Sequence, residues 1–152
     1  MKKALVLFLI FIFTLLCGCT SKPADVDISA LADSVISASA FSEELERADS
    51  QIGCFLYGID PSLPEDSVFL FSSGATAEEL AVFKMRAEAD AEAVENAARE
   101  RVTAQRSSFT DYNPDEVPKL DKAIIKRSGI YAVLCVAADS SAAENAIAAF
   151  FR

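Results

Sequence analysis

The sequence predicts one α+β domain, in which a small antiparallel sheet of about three to four strands has helices packed on one face. Short apolar segments of strand length come in pairs, and residues typical of turns separate the members of each pair. Segments with apolar residues three and four positions apart stand before, between and after these pairs. The resulting order of helix, strand pair, long helix, strand pair and helix is typical of the α+β class.

The chain opens with a segment that has the pattern of an export signal. Lys2 and Lys3 precede an apolar run over residues 4–16, which only Thr14 interrupts. As a helix rising about 1.5 Å per residue, this run covers only about 20 Å, against a hydrocarbon core of about 30 Å. We therefore predict a signal peptide over residues 1–18 rather than a permanent transmembrane anchor.

The apolar run ends in Leu16-Cys17-Gly18-Cys19, which resembles the lipobox of bacterial lipoproteins, although Cys17 is a less usual residue there. The resemblance implies cleavage between Gly18 and Cys19 and lipidation of Cys19, which becomes the new N-terminus. Two acyl chains hold a protein on a bilayer where one is marginal. We expect a domain that is lipid-anchored to the extracytoplasmic face of the cell membrane. An ordinary secretory signal, which would leave a soluble domain, is the alternative.

The charge composition excludes several classes of function. The chain has 14 Lys and Arg against 23 Asp and Glu, and loss of Lys2 and Lys3 would change its net charge from −9 to −11. Nucleic acid and anionic lipid repel so acidic a domain, so we expect no nucleic-acid partner and membrane contact only through the lipid. The chain has no His, which removes Ser-His and Cys-His nucleophile pairs and His-based zinc or haem sites.

A tether and two helices are expected in the first part of the mature chain. Residues 19–27 form the lipidated N-terminus and a short polar tether, and Asp27 is placed to cap a helix. Residues 41–52 predict a further short helix, with Ser42 as its cap. The apolar face of the first helix follows helical spacing and comprises Ile28, Leu31, Ala32, Val35 and Ile36.

The middle of the chain predicts a strand pair and the longest helix. Residues 68–71 form an unbroken apolar string, and residues 79–86 alternate as a strand does, so the two suggest an antiparallel hairpin closed around Gly74. Residues 87–109 are Ala-rich and follow helical spacing. The inner face of this helix comprises Ala91, Val94, Ala98, Val102 and Phe109.

Two interpretations remain open for the segment before Gly129. Residues 120–127 could form a helix, or residues 123–127 could form a strand that turns at Ser128-Gly129 into the apolar string 130–137. We favour the hairpin, because a two-residue Ser-Gly connection suits one. A capping box at Ser141-x-x-Glu144 then opens a final helix, whose inner face comprises Ala143, Ile147 and Phe150, and residues 28–152 form the single domain.

Cys54 and Cys135 are the two cysteines left in the mature domain after Cys17 and Cys19. Both lie in apolar strings that resemble strands, and free cysteines are among the most buried residues. An extracytoplasmic location also permits a disulfide between them. We favour two buried thiols over the bridge, since nothing in the sequence brings the two residues together.

Four segments of the mature chain follow the lipobox: Tyr57-Gly58-Ile59-Asp60, Ala77-Glu78-Glu79-Leu80-Ala81-Val82-Phe83-Lys84, Arg101-x-x-x-Gln105-x-x-x-Phe109-x-x-Tyr112-x-Pro114-x-Glu116 and Gly129-Ile130-Tyr131. Together with the lipobox they resemble a family of lipoproteins found in Firmicutes, the family called domain of unknown function 4358. The resemblance implies an exported, membrane-tethered domain with no assigned activity, and it implies no catalytic residues.

No catalytic, metal or cofactor motif is found in the sequence. There is no Gly-rich phosphate loop, calcium loop, Cys-x-x-Cys or Ser-x-x-Lys pattern, so we predict that the protein is not an enzyme and holds no cofactor or metal. We expect Asp and Glu to be mostly exposed. Phe109, Tyr112 and Tyr131 could line a groove. The paired carboxylates lie in turns or at helix starts and are Asp25 with Asp27, Glu43 with Glu44, Glu65 with Asp66, and Asp115 with Glu116.

Two functions remain after these exclusions. The first is a binding or structural module at the cell envelope, which recognises a protein or envelope component. The alternative is a small-ligand-binding lipoprotein associated with a transporter. The mature chain leaves little room for the two lobes that such ligand-binding lipoproteins usually close on a ligand.

Overall fold

A computed structural model describes residues 25–38 and 40–151. The predicted signal peptide, the cleavage site at Gly18 and Cys19 and the lipidation of Cys19 lie outside the described residues. Among the described residues, no helix is both long enough and apolar enough to cross a membrane.

The described chain is an α+β fold, as its sequence predicts. The helices are α1 (Ile28–Ser37), α2 (Ser50–Leu56), α3 (Glu88–Tyr112), α4 (Val117–Leu120), which follows a 3₁₀ turn at Pro114–Glu116, and α5 (Ser140–Phe150). The strands are β1 (Glu46–Ala48), β2 (Pro64–Phe71), β3 (Glu79–Met85), β4 (Ile124–Ser128) and β5 (Tyr131–Val136).

The strands form one antiparallel sheet in the order β1-β2-β3-β5-β4. The predicted hairpins are both present, with Val68 opposite Val82 in the first and Lys126 opposite Val133 in the second. The expected three to four strands are wrong, because the sheet has five strands. The strand that the sequence did not predict is β1, whose three residues Glu46–Ala48 pair with the edge of β2 and carry no strand pattern of their own.

Helices cover both faces of the sheet, which corrects the prediction that they pack on one face. Leu80 and Val82 of β3 pack in the cluster that contains α1 and α5, whereas Phe83 and Met85 pack in the cluster that contains α2 and α3. Because successive residues of a strand point to opposite faces, an unbroken apolar strand needs cover on both sides. The unbroken apolar runs at β3 and β5 were already visible in the sequence.

The helix starts follow local capping chemistry. The Asp27 carboxylate accepts hydrogen bonds from the backbone N–H groups of Ser29 (2.9 Å) and Ala30 (3.0 Å), as predicted. The predicted cap at Ser141 is wrong: Asp139 caps α5 by accepting from Ala142 N–H at 3.0 Å, because its carboxylate lies one turn before that group.

Three other local predictions need correction. The expected helix over residues 41–52 is replaced by an irregular segment, β1 and then α2, which Asp49 rather than Ser42 caps. Ile36 is 40% exposed and does not belong to the core face of α1. The hairpin between β4 and β5 turns at Gly129-Ile130, one residue later than predicted, because Gly129 supplies the positive φ of 55° that the tight turn needs.

Candidate functional site

Two consecutive carboxylates are buried where β3 begins. Glu78 is 1% exposed and Glu79 is 2% exposed, and each is held by a different cation. The expectation that acidic residues are mostly exposed is wrong at these positions and at Glu116, which is also buried. Buried charges are stable only when paired and hydrogen-bonded, so the two clusters around these carboxylates are the first candidates for a functional site.

Glu79 lies in a buried cluster with Arg101 of α3 and Tyr57, which follows α2. The Arg101 Nε–H donates to both carboxylate oxygens of Glu79 (2.8 and 2.9 Å), and an Arg101 Nη2–H also donates to Oε2. The Tyr57 hydroxyl donates to Glu79 Oε1 at 3.2 Å. The guanidinium carbon of Arg101 also lies 5.0 Å from the centroid of the Tyr57 ring and 5.3 Å from that of Phe71.

The electrostatics of this cluster keep Tyr57 protonated and Arg101 charged. Burial, followed by the neighbouring charge of Glu79, raises the pKa of the Tyr57 hydroxyl well above its ordinary value. Burial raises the pKa of Glu79, and the Arg101 guanidinium opposes that rise. The cluster therefore joins α2, β3 and α3 through one ion pair and one neutral hydroxyl.

The second cluster holds Glu78 and Glu116 on one lysine. Lys119 Nζ lies 3.0 Å from Glu78 Oε1 and 2.9 Å from Glu116 Oε2. Glu78 also accepts from the backbone N–H (2.9 Å) and the hydroxyl (2.8 Å) of Ser42, and Glu116 accepts from Ala77 N–H at 3.0 Å. Although burial raises the pKa of Glu78, these bonds from Lys119 and Ser42 hold it below its ordinary value.

Ser42 and Lys119 form the one serine–lysine contact that these clusters contain, with 3.4 Å between Ser42 Oγ and Lys119 Nζ. The Ser42 hydroxyl already donates to Glu78, and Lys119 is bound by two carboxylates. Although burial lowers the pKa of Lys119, Glu116 and Glu78 raise it above its ordinary value, so the amine stays protonated and is a poor general base. This arrangement is therefore structural: it holds the segment that contains Ser42 against the start of β3.

A cleft of about 240 Å³ opens beside the Glu79 cluster, between α2 and α3. Leu56 forms one wall, and Arg101, Gln105 and Phe109 form the other. The side-chain amide of Gln105 makes no hydrogen bond to any described residue and is only partly buried, so it can bind a ligand group in the cleft. The rest of the lining comes from the end of β2, the loop that follows it and the start of β3: Phe71, Ser72, Gly74, Thr76, Ala77, Glu78 and Glu79.

Exposed apolar side chains lie on the two helices that border this cleft. Phe55, which precedes the wall residue Leu56, is 80% exposed, and Ile52 one turn earlier is also exposed. On the other side Tyr112 is exposed and contacts the Phe109 ring edge-to-face, with 6.0 Å between centroids. Large exposed apolar side chains next to a cleft are typical of binding surfaces.

The predicted aromatic groove of Phe109, Tyr112 and Tyr131 is wrong in part. Phe109 lines the cleft and Tyr112 borders it, but Tyr131 is buried at the other end of the sheet. The Tyr131 hydroxyl accepts from Val26 N–H (2.9 Å) and donates to Asp25 (3.0 Å). Tyr131 lies there because β5 begins opposite Lys84, and only its last residue, Val136, lies opposite Glu79 at the cleft end.

The end of the sheet opposite the cleft receives the tether. Lys84 Nζ lies 3.0 Å from Asp25 Oδ1 and 3.0 Å from Glu65 Oε1. Glu79 and Lys84 are five residues apart on β3, a separation of about 17 Å in a strand. The first described residues and the cleft therefore lie at opposite ends of one strand.

Cys54 and Cys135 are both free and buried. Cys54 lies in α2 and not in a strand, which corrects the prediction for its segment, and it belongs to the core between the sheet and α3. Cys135 lies in β5 and belongs to the core on the other face. Burial raises the pKa of Cys54, with Asp60 adding to the rise, and burial raises the pKa of Cys135 to about 12.

The described residues contain no candidate metal site, because no three of their acidic or cysteine side chains lie close enough together to hold a metal ion. Asp27 caps α1, and Glu65 binds Lys84. The Glu43 carboxylate accepts from the hydroxyls of Ser73 and Thr76 in the loop between β2 and β3.

Sequence reasoning missed the Glu78-Glu79 pair as a site. The signal was two consecutive acidic residues that lead directly into a strand of apolar residues, together with Arg101 on the sheet-facing side of the long helix. A carboxylate in such a strand must be buried, and a buried carboxylate needs a cation.

The comparisons with known proteins agree with the family resemblance. The model of one family, described as domain of unknown function (DUF4358), matches residues 38–137. No curated protein and no solved structure matches the chain. The matched range contains both clusters and the whole lining of the cleft.

Proposed function

This chain belongs to the DUF4358 family, and we propose that it is a lipid-anchored, extracytoplasmic lipoprotein that acts as a binding or structural module at the cell envelope. The cleft between α2 and α3 is its binding site. Its partners are the membrane, through the lipid on Cys19, and a protein or envelope component that enters the cleft. It binds no nucleic acid and is not an enzyme.

The opposite placement of tether and cleft carries this proposal. Asp25 is bound at the Lys84 end of β3, and the cleft lies beside Glu79 at the other end. A domain anchored through Cys19 therefore presents the cleft away from the bilayer, where a soluble or membrane-bound partner can reach it. The distance along β3 adds about 17 Å to the length of the tether.

The chemistry of the cleft supports binding rather than catalysis. Glu79 and Arg101 in its lining neutralise each other through several hydrogen bonds, and the third charged lining residue, Glu78, is paired with Lys119. The tyrosine beside Glu79 is held in its neutral form. A general base needs a free lone pair and a pKa near the working pH, which neither Arg101 nor Tyr57 offers. The amide of Gln105, which makes no hydrogen bond to any described residue, and the ring of Phe109 both line the cleft and can contribute to recognition.

The size of this cleft argues against it as the site of the alternative function, a small-ligand-binding lipoprotein that serves a transporter. Small-molecule pockets are usually about 300–1,000 Å³, and this cleft is about 240 Å³ and open to solvent. It can hold a side chain or a chain end of a larger partner. The free Gln105 amide is the feature that would favour a small polar ligand.

Site-specific photo-crosslinking in cells tests this proposal. A photoreactive residue at position 105 is expected to form adducts with an envelope partner, because Gln105 faces into the cleft. The matched control is the same residue at position 92, which is exposed near the first turn of the same helix. Adducts from position 92 but none from position 105 would contradict the proposal.

A thermal-shift screen with sugars, amino acids and metal ions tests the alternative. A ligand present at about one hundred times its Kd should stabilise the domain by about 2.7 kcal/mol. If one compound gives such a shift and Gln105→Ala abolishes it, the transporter-associated ligand-binding function replaces the proposed one.

A further inference from the structure

A second concave surface lies on the other face of the sheet, between α1 and β1. It is a groove of about 470 Å³, roughly twice the volume of the cleft. Ile36, Phe41, Leu45 and Leu70 provide its apolar surface. The 40% exposure of Ile36, in a helix whose other large apolar residues are buried, is explained if a partner covers this groove.

The rim of the groove is acidic. Asp33, Glu43 and Glu44 face a single cation, Arg47, which leaves two uncompensated negative charges. Among the ion pairs of the described residues, none involves these four side chains, and the Glu43 carboxylate is bound only by hydroxyls. The rim therefore attracts basic groups.

An edge strand adjoins the groove. β1 pairs with β2 on one side, and no strand of the described residues pairs with its other side. In an antiparallel strand every second residue turns its N–H and C=O away from the neighbouring strand, so the outer edge of β1 can pair with an added strand. A chain that paired there would have alternate side chains beside the groove.

Three other occupants fit these observations less well. A second copy of the chain would bring two acidic rims together if it used the same surface. Residues 20–24 contain one basic residue, Lys22, and they lead into Asp25 at the opposite end of the sheet. A bilayer with anionic headgroups repels an acidic rim.

We propose that this groove binds an extended, basic, amphipathic segment of another exported protein. The segment adds to the outer edge of β1 as a strand, so every second side chain of the segment faces the groove. Of these groove-facing side chains, the apolar ones lie on Ile36 and Phe41, and Lys or Arg face Asp33 and Glu44. This inference rests on the proposed binding function and specifies a class of partner for it. Backbone pairing supplies affinity and the alternating side chains supply specificity.

Binding of synthetic peptides to the full-length protein in uncharged detergent micelles tests the inference. The probe, called the Val-Lys peptide, is a fluorescent peptide of about eight residues, a length typical of a strand. Its groove-facing positions, every second residue, carry Val and Lys in turn, and Thr occupies the positions between them. The Val-Glu peptide has Glu in place of each Lys. We expect an anisotropy increase that saturates in the micromolar range, weakens with added salt and is absent with micelles alone. A Val-Glu peptide should not bind, and a Val-Lys peptide with alternate backbone nitrogens methylated should bind much more weakly.

Charge variants of the rim should change the peptide affinity in opposite directions. A loss of folding could only weaken binding, so it cannot produce this result. Asp33→Asn with Glu44→Gln should weaken binding by about three- to tenfold, whereas Arg47→Gln should tighten it by about two- to fivefold. The matched control is Glu100→Gln with Asp111→Asn, which removes the same charge from exposed positions of α3 and should leave the affinity unchanged.

Each contrary result overturns the inference. It fails if the Val-Lys peptide does not bind, if the methylated peptide binds equally well, or if the α3 control weakens binding as much as the rim variant does. Concentration-dependent dimerisation that Ile36→Glu abolishes would identify a second copy as the occupant instead. If the peptide fails but adducts from position 105 persist, the groove proposal falls and the proposed function of the cleft stands.

Discussion

The two ends of β3 carry ion pairs in opposite environments. At the cleft end, Glu79 is 3% exposed in its side chain and Arg101 12%, and several hydrogen bonds join them. At the tether end, Lys84 is 19% exposed, but its partners Asp25 and Glu65 are 82% and 49% exposed. Solvent therefore screens the charges at the tether end. The buried Glu79 carboxylate, in contrast, depends on Arg101 to compensate its charge.

This difference indicates different tasks for the two ends. A buried ion pair is costly to break because the remaining charge stays in a poorly solvated place, whereas an exposed pair contributes little. The cleft end is thus organised around a buried ion pair, whereas the tether end is held by solvent-screened ion pairs and by the Tyr131 hydroxyl. The predictions below test this comparison.

The largest expected effect is on the attachment of the tether end to the membrane. Cys19→Ser should move the protein completely from the membrane fraction to the soluble fraction, because the lipid would be its only hold on the bilayer. Fractionation together with incorporation of labelled palmitate measures this. Incorporation that persists in the variant would show that Cys19 is not the lipidated residue.

The next effect is on the ion pair at the cleft end. Arg101→Met should lower the free energy of unfolding by about 3–5 kcal/mol, because Glu79 is left buried without a cation. Denaturant titration of the full-length protein in micelles measures the loss. Arg99→Met, on the exposed side of the same helix, is the control and should change little. Equal losses in the two variants would mean that the burial of Glu79 is not decisive.

Acid sensitivity should also depend on the carboxylates at the start of β3. The folded pKa of Glu78 lies below its ordinary value of 4.5, so its contribution to stability is present above about that pH and is lost as the pH falls through the folded pKa. Glu78→Gln should therefore flatten the decline in stability on acidification. Unfolding curves at neutral and at acidic pH measure this, and an unchanged decline would assign the acid sensitivity to other groups.

A smaller effect is expected from the ion pair at the tether end. Lys84→Met should leave the denaturation midpoint near that of the unmodified protein, because Asp25 and Glu65 remain solvated without it. Any contribution from the raised pKa of Lys84 is fully present at neutral pH and is lost only in strong alkali. A loss as large as that of Arg101→Met would remove the contrast between the two ends.

No effect is expected from reduction. Cys54 and Cys135 lie in cores on opposite faces of the sheet, so a reducing agent should not change the stability of the domain. Thiol titration of the unfolded, unreduced mature domain should find both residues reactive. If neither reacts and reduction lowers the denaturation midpoint, a bridge joins them.

The sequence by itself determined the elements that depend on local chemistry. The Asp27 cap, the long helix α3 and the two hairpins follow from side-chain spacing and turn residues within short stretches of chain. The family was recognisable for the same reason, since its motifs are local segments that need no tertiary contact to be identified.

Only the tertiary structure decided which residues meet across the sheet. β1 is a strand because the edge of β2 supplies its hydrogen bonds, and helices lie on both faces because β3 and β5 are apolar on both. The Glu79–Arg101 pair joins residues 22 positions apart, and it exists because α3 packs across the sheet. Side-chain periodicity specifies which face of an element is apolar, but the element that covers that face is chosen by packing of the whole chain.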